Sequence, residues 1–330
     1  MTALYDVAAI GNAIVDVIAP CDEAFLTTEG LAKGSMQLVD EAQAVALYGR
    51  MAAGMETSGG SAGNTVAGVA SFGGRAAYLG KVAGDQLGDV FEHDMKAIGV
   101  AFDTTRLTGG PATARSMINV TPDGQRTMCT YLGASVELTP DDVKPEIVER
   151  STIVYLEGYL FDPSEARRAF AKAAGLAHAA GRRIAITLSD AFVVDRHRAA
   201  LLGFIEGQCD IVLANESEEK EQVETDDGEV SAAKLCAITT TYALTPGETG
   251  SLVLSGRESA LIHAVPVEKV VDTTGAGDQY AAGFLLGIAR GLPLATAGRL
   301  GALAAAEVIG HYGPRPQVSL ETLAKAEGLI

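Results

Sequence analysis

Apolar residues recur along this chain in two patterns. Short runs at 5–10, 76–82, 152–156, 183–188 and 211–214 are apolar at nearly every position and rich in β-branched residues. Such runs predict strands buried on both faces. Between them, 85–98, 163–180 and 192–206 carry apolar residues at helical spacing, and Gly99 stands where the first of these should stop. From residue 151 onward strand and helix alternate regularly, which predicts parallel strands with helices on both faces. A later group, 241–244, 250–254 and 259–264, reads as more antiparallel. The β-branched run 265–271 reads as a further strand, leading into the helix 276–289. That helix and 294–309 are rich in Ala and Gly, so they can pack closely.

Several short segments break this rhythm. Residues 14–19 and 35–39 read as short strands, and Asp40 caps a helix over 41–51. The runs 113–120 and 126–132 are joined by Thr121-Pro122-Asp123-Gly124-Gln125, a turn composition that predicts a hairpin. The expectation is one α/β domain over 1–330, a three-layer α/β/α sandwich with a mainly parallel sheet. Residues 12–19, 35–39 and 113–132 should form a small separate sheet, a lid over the site. The acidic stretch Asp226-Asp227-Gly228-Glu229 reads as a solvated loop.

The chain has 330 residues and a hydrophobic content of 48%, enough for a large core. Its net charge of −17 argues against nucleic acid or an anionic membrane surface as a partner. An anionic ligand must therefore meet local positive groups or a metal. Cys21, Cys129, Cys209 and Cys236 form no metal or redox spacing, and the histidines form no H-E-x-x-H. No basic leader precedes the first apolar run, and no run reaches the roughly 18 apolar residues of a membrane span. A cytoplasmic protein, monomer or homodimer, is expected.

The chemistry concentrates at Asp272-Thr273-Thr274-Gly275-Ala276-Gly277-Asp278, placed before a helix. Two glycines let backbone N–H groups converge at the positive end of a helix dipole, where a phosphate or a developing phosphoryl charge binds. A carboxylate at that point makes sense as a general base, taking a proton from a hydroxyl that attacks the phosphate. The structural alternative is an Asp that simply caps the helix. The stretch has neither the third glycine of a dinucleotide fingerprint nor a P-loop Lys.

These seven residues resemble the signature of the ribokinase-like (PfkB) kinases. So does the run from Gly59-Gly60-Ser61-Ala62-Gly63-Asn64 through Gly73-Gly74 to Gly84-Asp85 and Gly88, which is similar to the family's N-terminal signature. The resemblance covers nearly the whole chain. It implies that Asp278 is the base and that Gly275, Ala276 and Gly277 form the anion hole. Asn215 and Glu218 match the family's N-x-x-E motif, which helps order Mg2+ and phosphate; read alone, they are an acidic helix start. ATP should lie near Thr245, Gly247 and Thr273 and beside the helix 294–309. Asp272 and Thr274 could offer oxygens to a monovalent cation such as K+.

Gly11-Asn12-Ala13-Ile14-Val15-Asp16 resembles the Gly-Asn-Pro-Leu-Leu-Asp of adenosine kinases, whose Asp binds the ribose diol. A carboxylate accepts from two hydroxyls at once. Thr187-Leu188-Ser189-Asp190-Ala191-Phe192 and Leu213–Glu218 point to the same branch. Asn12, Asp16, Gly59, Gly60 and Asn64 would then hold a sugar. Arg126, ending the lid turn, would neutralise the transferring phosphoryl group; its alternative is a solvated hairpin arginine. Ile14, Met128 and Tyr159 or Leu160 would line a base pocket, or be plain core. Thr274 departs from this branch, which often has Asn there, and matches ribokinases and fructokinases. The expected reaction is ATP-dependent phosphorylation of adenosine at its 5′-hydroxyl. The alternatives are a sugar kinase of the same fold and a binding protein without turnover.

Overall fold

The computed structural model describes all residues except 1, 224–233, 235–237 and 246. Cys236 and the acidic stretch 226–229 lie outside the described residues. In chain order the strands are β1 (Tyr5–Ile10), β2 (Ile14–Pro20), β3 (Met36–Leu38), β4 (Met55–Ser58), β5 (Ala76–Leu79), β6 (Ala101–Phe102), β7 (Ala114–Val120), β8 (Arg126–Tyr131), β9 (Ser151–Glu157), β10 (Arg183–Thr187), β11 (Ile211–Asn215), β12 (Thr241–Thr245), β13 (Ser251–Ser255) and β14 (Glu258–Ile262). They form a nine-stranded sheet, β14-β13-β12-β11-β10-β9-β1-β5-β6, and a five-stranded sheet, β3-β8-β7-β2-β4.

In the large sheet, β6 through β12 run parallel, and β13 and β14 are antiparallel to their neighbours. Strand residues alternate between two cores. Val7 and Ala9 of β1 pack with Tyr280 and Phe284 on one face, while Ala8 and Ile10 pack with Phe170 and Ile205 on the other. Both faces are covered by helices, which is why β1 is apolar from Val7 to Ile10. The helices Ala276–Ala289 and Leu294–Ile309 pack against each other so closely that a Cβ at Gly283 would overlap the backbone of Leu300.

Helices Gln86–Ala97, Ser164–Ala179 and Ala191–Gln208 form where the helical spacing placed them. The strand expected over 265–271 does not form. Pro266 lacks an N–H, and Val265 and Val270 are exposed. The segment crosses to the signature helix as irregular chain, tied by Val271 N–H to Ile309 O at 2.8 Å.

In the small sheet, β7 and β8 form the hairpin, with Ser116 opposite Thr130. Strand β2 lies parallel to β7 and pairs antiparallel with β4, a four-residue run too short and too polar to have registered in the hydrophobic pattern. No described helix is long and apolar enough to cross a membrane.

Candidate active site

The order of the large sheet reverses beside β1. The chain leaves β1 for β5 on one side and later returns to place β9 on the other. Ligands bind in open α/β sheets at such a point, beyond the carboxyl ends of the strands. A cavity of about 560 Å3 lies there, walled by the ends of β9 to β12 and by residues of β2, β3, β7 and β8 from the second sheet.

Asp278 faces this cavity. Gly275 is the N-cap of its helix, at φ 79°, and a Cβ there would stand 2.6 Å from that of Pro314. Asp278 is therefore the third residue of the helix and does not cap it. Ser61 Oγ donates to its Oδ1 at 2.6 Å and Asn64 Nδ2 to its Oδ2 at 3.0 Å. Burial pushes its pKa up, against the pull of these two bonds and of the Arg315 charge. Gly277 also lines the cavity, and a Cβ on it would meet nothing within 4 Å.

Asp16 lines the same cavity from β2. Burial pushes its pKa up to about 7, opposed by Arg315 and Arg126. Gly59 lies directly against the Asp16 carboxylate, where a side chain would overlap it, and does not itself reach the cavity. Gly60, Asn64 and Asn12 do. Asn12 is held by Glu157 at the end of β9. Its N and Nδ2 donate to Glu157 Oε1 at 3.3 and 2.8 Å, and Ala62 N donates to Oε2 at 2.9 Å. Asn12 Oδ1 is buried without a partner. Glu157 is fully buried, and burial lifts its pKa to about 7.

Asn215 and Glu218 line the cavity at the end of β11. Each bonds the other: Asn215 Nδ2 donates to Glu218 Oε1 at 2.7 Å, and Glu218 N donates to Asn215 Oδ1 at 2.9 Å. Burial lifts Glu218 to about 7. No group of three or more His, Cys, Asp or Glu among the described residues could cage a metal by itself. This donor set suits a Mg2+ that keeps waters and rides on nucleotide phosphates.

Arg126 is neither solvated nor at the cavity wall. Its side chain is buried, with Nη2 2.7 Å from Asp272 Oδ2, and the guanidinium lies over the Tyr312 ring at 5.9 Å. Its Nε and Nη1 are buried without partners. Asp272 Oδ1 also accepts from Thr274 N and Oγ1, and Oδ2 from Gly313 N. Both oxygens of the Asp272 carboxylate thus already accept hydrogen bonds, with a guanidinium beside them. Thr274 itself lines the cavity.

Ile14, Met128 and Tyr159 line the cavity; Leu160 does not. It points into the core with Phe161 and Phe170, because the single helical turn Gly158–Phe161 after β9 splays its side chains around its axis. Thr245 reaches the cavity, whereas Thr273, Ala276 and Gly247 do not. Sequence reasoning missed Ser61, Glu157, Phe192 and Arg315 as site residues. Glu157 had a signal, a carboxylate ending a run of core residues. Phe192 had one too, an aromatic one residue into a helix whose start, Asp190, caps it. Arg315, between two prolines near the C-terminus, had none.

A model of the pfkB family carbohydrate kinases matches residues 6–322. The solved structure of adenosine kinase from Sinorhizobium meliloti is 53% identical, covers 98% of this chain and 100% of its own, and superposes with a TM-score of 0.91. That of a probable sugar kinase protein from Rhizobium etli CFN 42 is 49% identical over all of both chains, with a TM-score of 0.92. Among curated relatives, the 5-dehydro-2-deoxygluconokinase of Geobacillus kaustophilus is 26% identical over 286 residues, 82% of this chain and 84% of its own. Kinases of this family use ATP, generally with Mg2+. With both signatures meeting at one cleft and the family model spanning the fold, the chain belongs to the pfkB family as a sugar or nucleoside kinase of the ribokinase-like fold.

Proposed function

We propose that this kinase transfers the γ-phosphoryl group of ATP to the 5′-hydroxyl of adenosine. The observation that carries the reading is the two-part character of the cleft. Its polar end holds Asp16, Asn12 and Asp278, while Ile14, Met36, Leu38, Ile118 and Met128 give it an apolar wall. A free sugar fills the polar end and leaves that wall in water; a purine joined to the sugar covers it. Phe192, 75% exposed, adds an aromatic face at the mouth. The identity to the Sinorhizobium meliloti adenosine kinase supports the same acceptor.

Asp16 accepts from the ribose diol, and the unpartnered Asn12 Oδ1 accepts a further hydroxyl hydrogen. Asp278 takes the 5′-hydroxyl proton as the bond from O5′ to the γ-phosphorus forms and the bond to the β–γ bridging oxygen breaks. The backbone N–H groups of Gly275 and Gly277, which line the cavity, stabilise the charge that develops. Arg126, carried on β8 of the small sheet with Nε and Nη1 unpartnered, takes the same task once that sheet closes as a lid and brings it from Asp272 to the cleft. Asn215 and Glu218 are the side chains that would hold Mg2+, which supplies charge neutralisation on the nucleotide phosphates.

A sugar acceptor is the second reading. It is favoured by Thr274 in the signature and by the names of the Rhizobium etli and Geobacillus kaustophilus proteins. ADP release from Mg-ATP, measured in parallel with adenosine, other nucleosides, ribose, fructose and 5-dehydro-2-deoxygluconate, separates them. Adenosine should lead in kcat/KM by about tenfold or more, the smallest preference that one apolar contact surface typically confers. A sugar in the lead overturns the acceptor and leaves Asp278 as the base.

A further inference from the structure

Arg315 lies between Pro314 and Pro316, beyond the helix Leu294–Ile309. Its Nε donates to Asn64 Oδ1 at 3.3 Å and its Nη1 to Ser58 Oγ at 2.8 Å, while its Nη2 is sealed from solvent without a partner. Both contacts lead to the reacting groups. Asn64 presents its Nδ2 to Asp278, and Ser58 precedes Gly59, which lies against the Asp16 carboxylate. Ser58 is itself anchored, its N donating to Asp94 Oδ2 at 2.8 Å. An arginine fork can therefore set the amide of Asn64 the right way round: with Oδ1 turned to the guanidinium, only Nδ2 can face Asp278.

We propose that Arg315 is a positioning residue of the transfer site, orienting Asn64 onto Asp278 and supplying the positive charge that Asp278 and Asp16 share. The inference rests on the reading of Asp278 as the base. The charge balance favours it. Asp16 from β2 and Glu157 from β9 stand with Asp278 as the carboxyl groups around the site, and Asp94 stands behind Ser58. Against them stand Arg315 and Arg126, and Arg126 is already paired with Asp272. Arg315 pulls both Asp278 and Asp16 toward the ionised form that burial opposes.

The test compares wild type with Arg315→Gln, which can still donate to Asn64 but carries no charge, and Arg315→Lys, which keeps the charge. The first readout is kcat and KM against pH. The second is the titration of aspartate carboxyl carbons by NMR in the unliganded protein, with Asp16 and Asp278 assigned through D16N and D278N. Arg315→Gln should move both titrations and the acid limb of kcat up by about one unit or more, so that kcat is down about tenfold at pH values below the wild-type limb and recovers at alkaline pH. Arg315→Lys should restore the limb. A loss equal at every pH in both variants, with unmoved titrations, makes Arg315 a structural clip and overturns the proposal. So does Arg315→Gln with the wild-type profile. A wild type that phosphorylates none of the acceptors refutes the proposed function instead, and the NMR titration then decides on Arg315 alone.

Discussion

Asp278→Asn separates chemistry from folding. The substitution removes a charge and keeps the shape. An asparagine Oδ1 can accept from Asn64 Nδ2, and its Nδ2 can donate to Ser61 Oγ, since a hydroxyl accepts as well as it donates. Both hydrogen bonds keep neutral counterparts, and only the proton acceptor is lost. A general base contributes roughly 10²–10⁴ in rate. The middle of that range is about 4 kcal/mol of barrier at about 1.36 kcal/mol per tenfold. Stability should move the other way. Burial raises the folded pKa of Asp278, so the stability this group contributes is complete below its unfolded pKa and is lost as pH rises through the folded one. Asparagine does not titrate, so the variant gains on wild type as pH rises. We expect kcat down about 10³-fold, ATP affinity unchanged by calorimetry, and Tm at or above wild type at about pH 8. A kcat within about threefold of wild type would refute Asp278 as the base; a fall in kcat matched by a large fall in Tm would show that the residue serves the fold.

The two signature glycines should respond differently. Gly275→Ala strains a φ of 79° and meets Pro314, so Tm and kcat should both fall, with about 1–3 kcal/mol lost in denaturant unfolding. Gly277→Ala adds a methyl to open space in the cavity, so Tm should hold while kcat/KM for ATP drops; unchanged kinetics would remove this turn from the phosphoryl path. Phe192→Ala removes a side chain 75% exposed, so stability should change by less than about 0.5 kcal/mol. Its KM for adenosine should rise while that for a free sugar does not, and an equal rise for both would remove Phe192 from the base pocket. Glu157→Gln replaces a carboxylate whose pKa is lifted to about 7. The wild-type contribution is complete below the unfolded pKa and lost toward pH 7, so Tm of the variant relative to wild type should rise between about pH 5 and about pH 8; a flat difference means Glu157 does not titrate there.

Much of this molecule is local and therefore legible in the sequence. Strands buried on both faces leave uninterrupted apolar runs, and β1 and β9 to β12 were visible for that reason. The glycine turn and Asp278 are contiguous, so their partnership at one helix end could be read directly. The run 265–271 misled because β-branched composition reports fitness for a sheet, not the presence of a partner strand. Leu160 misled because its neighbour Tyr159 faces the cavity, and only the turn geometry separates them.

What tertiary structure decided is everything that depends on strand order. Sequence alternation predicts parallel strands but cannot say that β9 lies beside β1. That adjacency brings Glu157 to Asn12 and Ala62, and opens the crevice into which Asp278 and Asp16 both project. Arg126 carried a role inferred from its motif, but its ion pair with Asp272 joins residues far apart in the chain. Arg315 reached Asn64 across 251 positions, through a contact that no local pattern encodes. Local propensity and periodicity act over a few residues, whereas the electrostatics of a buried site depend on which distant charges the packing brings together.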